Sequence, residues 1–470
     1  MLRLLMLWWA PNLFLLLLSG FELIRMEVRL SSGYDQILKM ALPISLALLV
    51  PQINFITNNI FLGFLGEREL ACAGITGVYY LTFAVIGSGL NNGLQALIAR
   101  RAGQNLPKEI GRLFYHGVWV ALLTAALGII TTYAVAPFLF RAVIHDQQIA
   151  TQVIHFLLIR IWGLPLLYLY VMRNALLVGT NQTRFLVWGT LVEAIINILL
   201  DYLLIFGHWG FPALGFNGAA YASILAEAGG LLVIYLIIHQ KGMHRTFALF
   251  EEFKLDKGVL MLILSISTPL VLQYAISIAT WEYFYILVEH YGPRALAISN
   301  TMRNIFGLFG VFCWSFAATS NTMVSNMIGQ GKSDEVLPLV RKIASLSFMI
   351  ALVIFLLLNV APQLFLAIYG QGDAFVQEAI PIVRIVSVAL LIMSFGTVWL
   401  NSVTGTGNSR VNLIIELVTI VLYLVYVYFT LEHFHLPLTW GWASEWVYWL
   451  SMFTMSYFYM QSGRWRNKII

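Results

Sequence analysis

The sequence predicts an all-α polytopic membrane protein made of two similar halves of six helices, preceded by a hydrophobic extension. Hydrophobic residues make up 60% of the 470 residues and charged residues only 10%, which excludes a soluble globular domain. The apolar runs are continuous over about 20 residues, which favours spanning helices over the alternating strands of a barrel. The sequence pattern of the first half also returns in the second half.

This internal repeat has a fixed offset of 226 residues. The positions that recur are mostly glycines and prolines at the ends of apolar runs: Pro43 and Pro269, Gly66 and Gly292, Gly103-Gln104 and Gly329-Gln330, Gly179-Thr180 and Gly405-Thr406, Gly215 and Gly441. Repeated halves with a site between them are a common plan of secondary transporters.

Twelve helices follow in order from apolar runs bounded by charged residues, glycine or proline. The first six are predicted at 37–64, 70–98, 110–140, 151–177, 185–207 and 214–238. Their repeats are predicted at 258–289, 295–327, 335–366, 377–403, 411–431 and 440–461. The chain then divides into an extension (1–30), an N-lobe (31–238), a connector (239–257), a C-lobe (258–461) and a tail (462–470).

Lys and Arg are distributed unevenly over alternate loops. Twenty lie on one side of the predicted membrane, whereas the other side has only Arg68, Arg141 and Arg294 in loops. By the positive-inside rule, both ends of the twelve-helix body and the connector are cytoplasmic. The net charge of +5 is therefore a topology signal and does not indicate nucleic-acid binding. The two cysteines lie in apolar segments and imply no disulfide framework.

The first 24 residues do not fit the repeat. The stretch 4–24 is apolar but contains Pro11 and Asn12, and no small-residue cleavage site follows it. Three interpretations remain open: an upstream start with the working protein beginning near Met26, an extra anchor helix, or a cleaved signal.

The sharpest polar feature at membrane depth is on helix 5. Glu193, Asn197 and Asp201 are spaced by four residues and therefore share one face. Asp201 is expected roughly 10 Å below the outer end, at a depth similar to Asn58 on helix 1, with Asn54 one turn deeper. These residues predict a polar chamber in which Asp201 exchanges a proton or binds a cation. The alternative is that they only link helices through hydrogen bonds.

In the second half, Glu282 and Arg303 are expected at nearly equal depth, which predicts an ion pair between helices 7 and 8. That pair could be a fixed packing element, or it could open on protonation or contact substrate. Glu227 is a further ionisable candidate. Arg160 is expected to snorkel to the interface, and two other carboxylates, Glu416 and Glu445, are expected near helix ends.

A substrate cleft would need polar and aromatic side chains at membrane depth, because a π face suits a bulky organic cation. The candidates for its lining are Gln52, Asn54, Tyr80, Gln273, Trp281, Tyr285, Asn300 and Trp314. No metal-ligand spacing, phosphate loop or nucleophile motif stands out, so neither a cofactor, a metal nor an enzyme activity is predicted.

Several segments, taken in order, resemble the multidrug and toxic compound extrusion (MATE) family over residues 36–461. The resemblance rests on Ala41-Leu42-Pro43, Phe61-Leu62-Gly63-Phe64-Leu65-Gly66, Ala99-Arg100-Arg101-Ala102-Gly103-Gln104, Gly179-Thr180-Asn181-Gln182-Thr183-Arg184, Asn197-x-x-x-Asp201 and Gly215-Phe216-Asn217-Gly218-Ala219-Ala220. It implies two pseudo-symmetric six-helix lobes around a central cleft.

The resemblance also implies export of small, mostly cationic amphipathic compounds in exchange for protons or Na⁺, from a bacterial inner membrane and by a monomer. The family carboxylate late in helix 1 is replaced here by Asn58, and the helix 7 acid would fall near Ser277. Protons are therefore favoured over Na⁺ as the coupling ion. A flippase of lipid-linked saccharides from the related exporter superfamily is the alternative function.

Overall fold

The chain folds into twelve long helical segments, and the computed structural model describes residues 27–251, 254–468 and 470. The expected extra helix, signal or upstream start at residues 1–24 lies outside the described residues. The first half contains α1 (Tyr34–Leu65), α2 (Glu67–Gly103), α3 (Pro107–Val143), α4 (Gln147–Gly179, with a 3₁₀ turn at Ile161–Gly163), α5 (Leu186–Phe206) and α6 (Phe216–Gln240).

The second half repeats this order. It contains α7 (Lys257–Glu289), α8 (Pro293–Gly329), α9 (Val336–Val360), α10 (Asp373–Gly405), α11 (Ser409–Val427) and α12 (Ser444–Gln461). Within the described ranges, eleven segments are long and apolar enough to cross a membrane. The twelfth, α12, is an 18-residue helix made less apolar by Glu445 and by several tyrosines and serines. The helical fold class is confirmed, while the domain limits at 238 and 258 stay predictions.

Helix limits in the two halves agree with the repeat. Both α2 and α8 have 37 residues, and the limits of α8 are those of α2 advanced by 226. The same offset relates Gln147–Gly179 to Asp373–Gly405. The recurring glycines therefore mark equivalent helix ends, as the sequence predicted.

The two halves meet at one end of the bundle, which we call the basic end. It is the end where Gly103, Gly179, Gly329 and Gly405 terminate their helices, and it is predicted to be cytoplasmic. Among the described residues, every hydrogen bond between the halves lies toward this end; one of the deepest joins Asn92 Nδ2 to Tyr274 OH at 2.6 Å. Helix α2 contacts both α7 and α8 here. The described hydrogen bonds therefore join the halves at the basic end and not at the opposite end.

Glycines allow the closest approach between the halves. A Cβ on Gly103 would collide with the carbonyl of Asn326, and a Cβ on Gly329 would collide with the carbonyl of Arg100. Arg100 and Asn326 are themselves repeat equivalents, so the interface has a local two-fold symmetry. Arg100 is buried and donates to the carbonyls of Gly405 and Thr406, both at 3.2 Å. This cation stabilises the C-terminal end of α10.

We expect Gly103→Ala to weaken this closure. The added methyl group must displace backbone rather than a flexible side chain, so the unfolding free energy should fall by about 1–3 kcal/mol. Thermal unfolding of the purified protein measures this loss. Gly77→Ala on the same helix is the control, because a methyl group added there would have no neighbouring atom within 4 Å. Equal stability of the two variants would contradict the proposed steric constraint.

A segment before α1, Glu27–Gly33, bridges both halves at the basic end. Its Leu30 amide donates to Asn326 Oδ1 at 3.0 Å, and its Leu30 carbonyl accepts from Gln330 Nε2 at 2.8 Å. On the side of the first half, Arg29 Nε donates to the Gly103 carbonyl at 3.2 Å. Asn326 thus binds this segment as well as α2, since its Nδ2 also donates to the Ala99 carbonyl at 3.2 Å.

The connector between the halves is fixed onto α3. Asp256 caps α7 by accepting from the Gly258 amide at 2.6 Å, and it forms an ion pair with Arg112. The Asp256 amide donates to Nε2 of His116 at 2.7 Å, so Nδ1 of that ring carries the proton that is shared with the Arg112 carbonyl. Phe247 in the connector is fully buried.

We expect an acid-dependent contribution from Asp256. The Gly258 and Val259 amides, with help from Arg112, hold the pKa of this carboxyl below its ordinary 3.8. A depressed folded-state pKa gives stability that is complete above the unfolded pKa and is lost as pH falls through the folded pKa. Asp256→Asn should therefore lower Tm at pH 7, and the difference from wild type should vanish in strong acid. A Tm difference independent of pH would contradict the ion-pair explanation; Asp35→Asn, at an exposed position, is the control.

Candidate functional site

The predicted polar face of α5 is buried in the first half. Asn197 is 2% exposed, Asp201 is fully buried and Glu193 is half-buried. Small residues of α6 allow its close approach to α5: a Cβ on Gly218 would lie 2.6 Å from the Leu204 carbonyl. The glycine-alanine run at the start of α6 thus encloses Asp201.

Helix α1 completes this cluster with two asparagines. Asn54 Nδ2 donates to Asn197 Oδ1 at 2.6 Å, and Asn58 Nδ2 donates to the same oxygen at 3.3 Å. The sequence placed these three residues at related depths, and the structure brings them into contact. Asn197 Nδ2 has no hydrogen-bond partner among the described residues, and it lies one helical turn from Asp201.

Asp201 is the least satisfied ionisable group of this cluster. Neither of its carboxyl oxygens has a hydrogen-bond partner within the described part of the chain, and no Lys or Arg there forms an ion pair with it. An ionised carboxylate is costly at such a place. Asn54 and Asn58 on α1 are half-buried, whereas Asn197 and Asp201 are buried, and the polar chamber stays a prediction.

A second charged cluster lies between α4 and α6. Arg160 does not snorkel to the interface as expected; it forms a two-pronged ion pair with both carboxylate oxygens of Glu227, and both side chains are largely buried. Its guanidinium also lies 4.1 Å from the ring centroid of Tyr80. Gly163 makes room for the pair, because a Cβ there would collide with Arg160. Tyr80 therefore packs inside the first half.

We expect this pair to be a packing element. Glu227→Gln leaves the Arg160 charge buried without compensation, which should cost about 3–5 kcal/mol of unfolding free energy. Arg160→Met should be similarly damaging, whereas the double variant should recover part of the loss. Denaturation of the three variants in detergent measures these effects. A strictly additive double variant would argue against direct coupling.

The ion pair predicted between Glu282 and Arg303 is not formed. These two residues are both described, and their charged groups do not meet within 4.0 Å. The Arg303 guanidinium instead lies 5.3 Å from the ring centroid of Tyr285. Tyr285 is also in edge contact with Trp281, with ring centroids 5.5 Å apart. The expectation that Glu282 and Arg303 lie at equal depth stays a prediction, while the expectation of an ion pair between them is wrong.

Glu445 lies beside this aromatic group. It is 6% exposed and accepts from Trp449 Nε1 at 3.0 Å, and Trp281 lies beside it. It lies in the first turn of α12, near a helix end as predicted, but it is buried within the protein. Tyr285, at 8% exposure, is buried as well, so the half-buried Trp281 is the accessible member of these three residues.

The remaining cleft candidates are dispersed. Gln52 and Asn300 are half-buried, and Trp314 is 39% exposed. Gln273 is buried and binds Glu416 and Asn412 through its amide, so it lies inside the second half instead of lining an open cleft.

Glu416 is the ionisable residue that the sequence pattern placed wrongly. It is fully buried, whereas its position seven residues into α11 suggested an interface. The internal repeat did not indicate a buried carboxyl group at this position, because the residue equivalent to Glu416 in the first half is Thr190. The sequence feature that could have indicated its burial is a set of polar side chains on neighbouring helices, namely Gln273, Ser277 and Tyr448.

Comparison with known families identifies the repeat independently. The family model MatE matches residues 43–203 and 269–429, two ranges that are again 226 residues apart and that together cover more than half of the chain. The chain is 25% identical over 415 residues to a probable multidrug resistance protein NorM of Synechocystis, covering 83% of this chain and 86% of that relative. A NorM of Thermotoga maritima is 23% identical over 453 residues, covering 93% and 94%.

Solved structures share the fold. An outward-facing multidrug resistance MATE family transporter of the MOP superfamily superposes with a TM-score of 0.85 at 18% identity, covering 95% of this chain and 98% of that one. A MOP superfamily transporter of Pyrococcus furiosus, described as having a binding pocket of reverse polarity, gives 0.82 at 17% identity, covering 92% and 95%. These likenesses confirm the two-lobed arrangement.

Proposed function

Because the chain belongs to the MatE family of membrane transporters, we propose that it exports small organic cations in exchange for protons, with Asp201 as the coupling carboxyl group. The observation that carries this proposal is the isolation of Asp201: it is fully buried and its two oxygens have no partner among the described residues. A group that lacks any stabilising partner for its charge binds and releases a proton with a large energetic effect on its surroundings.

The neighbouring asparagines supply the mechanical link. Asn197 receives hydrogen bonds from two residues of α1, Asn54 and Asn58, and it lies one turn from Asp201. Ionisation of Asp201 would attract Nδ2 of Asn197 and so change the packing of α1 on α5. Movement of α1 also opens the route by which the proton leaves, since the half-buried asparagines cover Asp201. Release of the proton and displacement of α1 are thereby coupled.

The proposed chemical class of the substrate follows from side chains in the second half, at the end that lies away from the basic end. The half-buried Trp281, the ring of Tyr285 and the carboxylate of Glu445 combine π faces with a negative charge. This combination favours a cationic, partly apolar compound. The positive charge of Arg303 is turned toward the Tyr285 ring, and that of Arg160 is neutralised by Glu227. The names of the NorM relatives, which describe multidrug resistance, agree with broad substrate acceptance.

Protons are preferred to Na⁺ as the coupling ion because few oxygen ligands are available around Asp201. A hard cation needs several oxygen ligands around it. Asp201 provides one carboxyl group, and the nearby Asn197 oxygen already accepts two hydrogen bonds. A lipid-linked saccharide flippase, the alternative, would need a group of uncompensated cations for its pyrophosphate. Arg160 is paired with Glu227, and Arg303, which has no ion pair among the described residues, lies against the ring of Tyr285. We propose a bacterial inner membrane, a monomer and cytoplasmic ends for the twelve-helix body.

The decisive experiment replaces Asp201 by Asn. In proteoliposomes with an imposed pH gradient, efflux of a fluorescent organic cation should fall to the level of empty vesicles, because the variant side chain cannot ionise. Substrate binding by the purified variant should persist, since the proposed substrate surface is in the other half. Parallel runs with a Na⁺ gradient and no pH gradient test the coupling ion.

Asp373→Asn serves as the control, because Asp373 is exposed in the first turn of α10. Its transport should match that of wild type. Undiminished proton-driven efflux by Asp201→Asn would refute the assignment. Efflux that follows the Na⁺ gradient alone would refute proton coupling while leaving Asp201 as the ion site.

A further inference from the structure

A second membrane-embedded carboxyl group has several hydrogen-bond partners, whereas Asp201 has none among the described residues. Glu416 on α11 is fully buried, and every close partner is a neutral polar side chain. Its Oε2 accepts from Gln273 Nε2 at 3.2 Å. Its Oε1 contacts two hydroxyl groups, that of Ser277 and that of Tyr448, the latter at 2.5 Å. The cluster joins α7, α11 and α12.

The two hydroxyl groups also contact each other. Ser277 Oγ and Tyr448 OH are 2.9 Å apart, so three oxygens form a closed triangle of hydrogen-bond distances. Such spacing suits shared protons. A metal ion such as Ca²⁺ would have to hold its oxygen ligands further apart, at roughly 2.3–2.6 Å from a common centre. The triangle is thus too small for a cation to lie at its centre.

Counting hydrogens determines the protonation state that fits this triangle. Three oxygen–oxygen contacts require three hydrogens, and the hydroxyls of Ser277 and Tyr448 supply two. The third must come from Glu416 itself. In a cyclic arrangement the carboxyl donates to Ser277, Ser277 donates to Tyr448, and Tyr448 donates back to Oε1. An ionised Glu416 would leave one contact between two oxygens without a hydrogen.

The charges around the cluster support the same state. The titratable side chains near Glu416 are Tyr274 on α7 and Tyr448 on α12. A second carboxyl group, that of Glu445 on α12, acts electrostatically on Tyr448, and α10 contributes the neutral Thr404 through Asn412. No Lys, Arg or His in the described ranges forms an ion pair with Glu416. A buried anion without a counter-charge is costly. Half-buried Ser277 and Tyr448 provide the route by which a proton reaches the carboxyl.

The geometry points to Glu416 as a second proton-binding site, in which the Ser277–Tyr448 hydroxyl pair holds and relays the proton. This inference rests on the proposed proton coupling and extends it: each half of the transporter contributes one carboxyl group. In this relay Glu416 passes its proton to the Ser277 oxygen, Ser277 passes its own hydrogen to Tyr448, and Tyr448 releases one to water. Each hydroxyl group ends with one hydrogen, so the net change is the loss of one proton from Glu416. The site is no copy of the first one, because the repeat equivalents of Asn197 and Asp201 are Tyr423 and Val427.

The experiment counts protons released when an organic cation binds to the purified protein in weakly buffered detergent solution. Wild type should release about two protons, Asp201→Asn and Glu416→Gln about one each, and the double variant almost none, because release follows from linkage between the two ligands. Gln keeps the shape and hydrogen-bond capacity of Glu. Glu378→Gln is the matched control, since that exposed carboxylate is paired with Arg294 at the surface.

Infrared spectroscopy tests the cyclic triad directly. Wild type should have the absorption of a protonated carboxyl group that Glu416→Gln removes, and Ser277→Ala should shift the pH at which that absorption disappears. Proton release by Glu416→Gln equal to wild type, or a spectrum without such a band, would overturn the inference. If Asp201→Asn also releases as many protons as wild type, Asp201 is not the coupling site. The infrared measurement then tests the protonation of Glu416 independently of Asp201.

Discussion

Inside a bilayer a carboxylate cannot be hydrated, so it needs a counter-charge, several hydrogen-bond donors or a proton. Three acidic residues of this protein meet that requirement differently. Glu227 has the Arg160 guanidinium, Glu416 has two hydroxyls and an amide, and Asp201 has no partner among the described residues. The first arrangement gives rigidity. The second and third leave the carboxyl group without a counter-charge among the described residues.

The closed interface at the basic end is the second constraint. Its symmetry comes from duplicated glycines, Gly103 and Gly329, each of which admits the backbone of the other half. Side chains at this interface differ: Arg100 binds carbonyls of α10, while its equivalent Asn326 binds the segment before α1. The backbone is thus nearly symmetric and the polar chemistry is not. The same asymmetry separates Asp201 from Glu416.

Helix number, helix limits and the repeat could be predicted because they depend on apolar length and on glycine positions. The shared face of Glu193, Asn197 and Asp201 followed from helical periodicity alone. The prediction of a Glu282–Arg303 pair was wrong because depth gives the position along a helix but not the rotation about its axis. The burial of Glu416 was not predicted because its partners lie on α7 and α12. No local sequence pattern shows how these two helices pack against α11.

Opening of the basic end would displace the segment Glu27–Gly33. It forms five hydrogen bonds with the second half, through Asn326, Gln330, Glu335 and Lys342, yet it is covalently joined to α1. When the basic end opens, the segment must travel with α1 and leave these four side chains to water. Opening of that end therefore has to break all five hydrogen bonds, so the segment favours the state in which the basic end is closed.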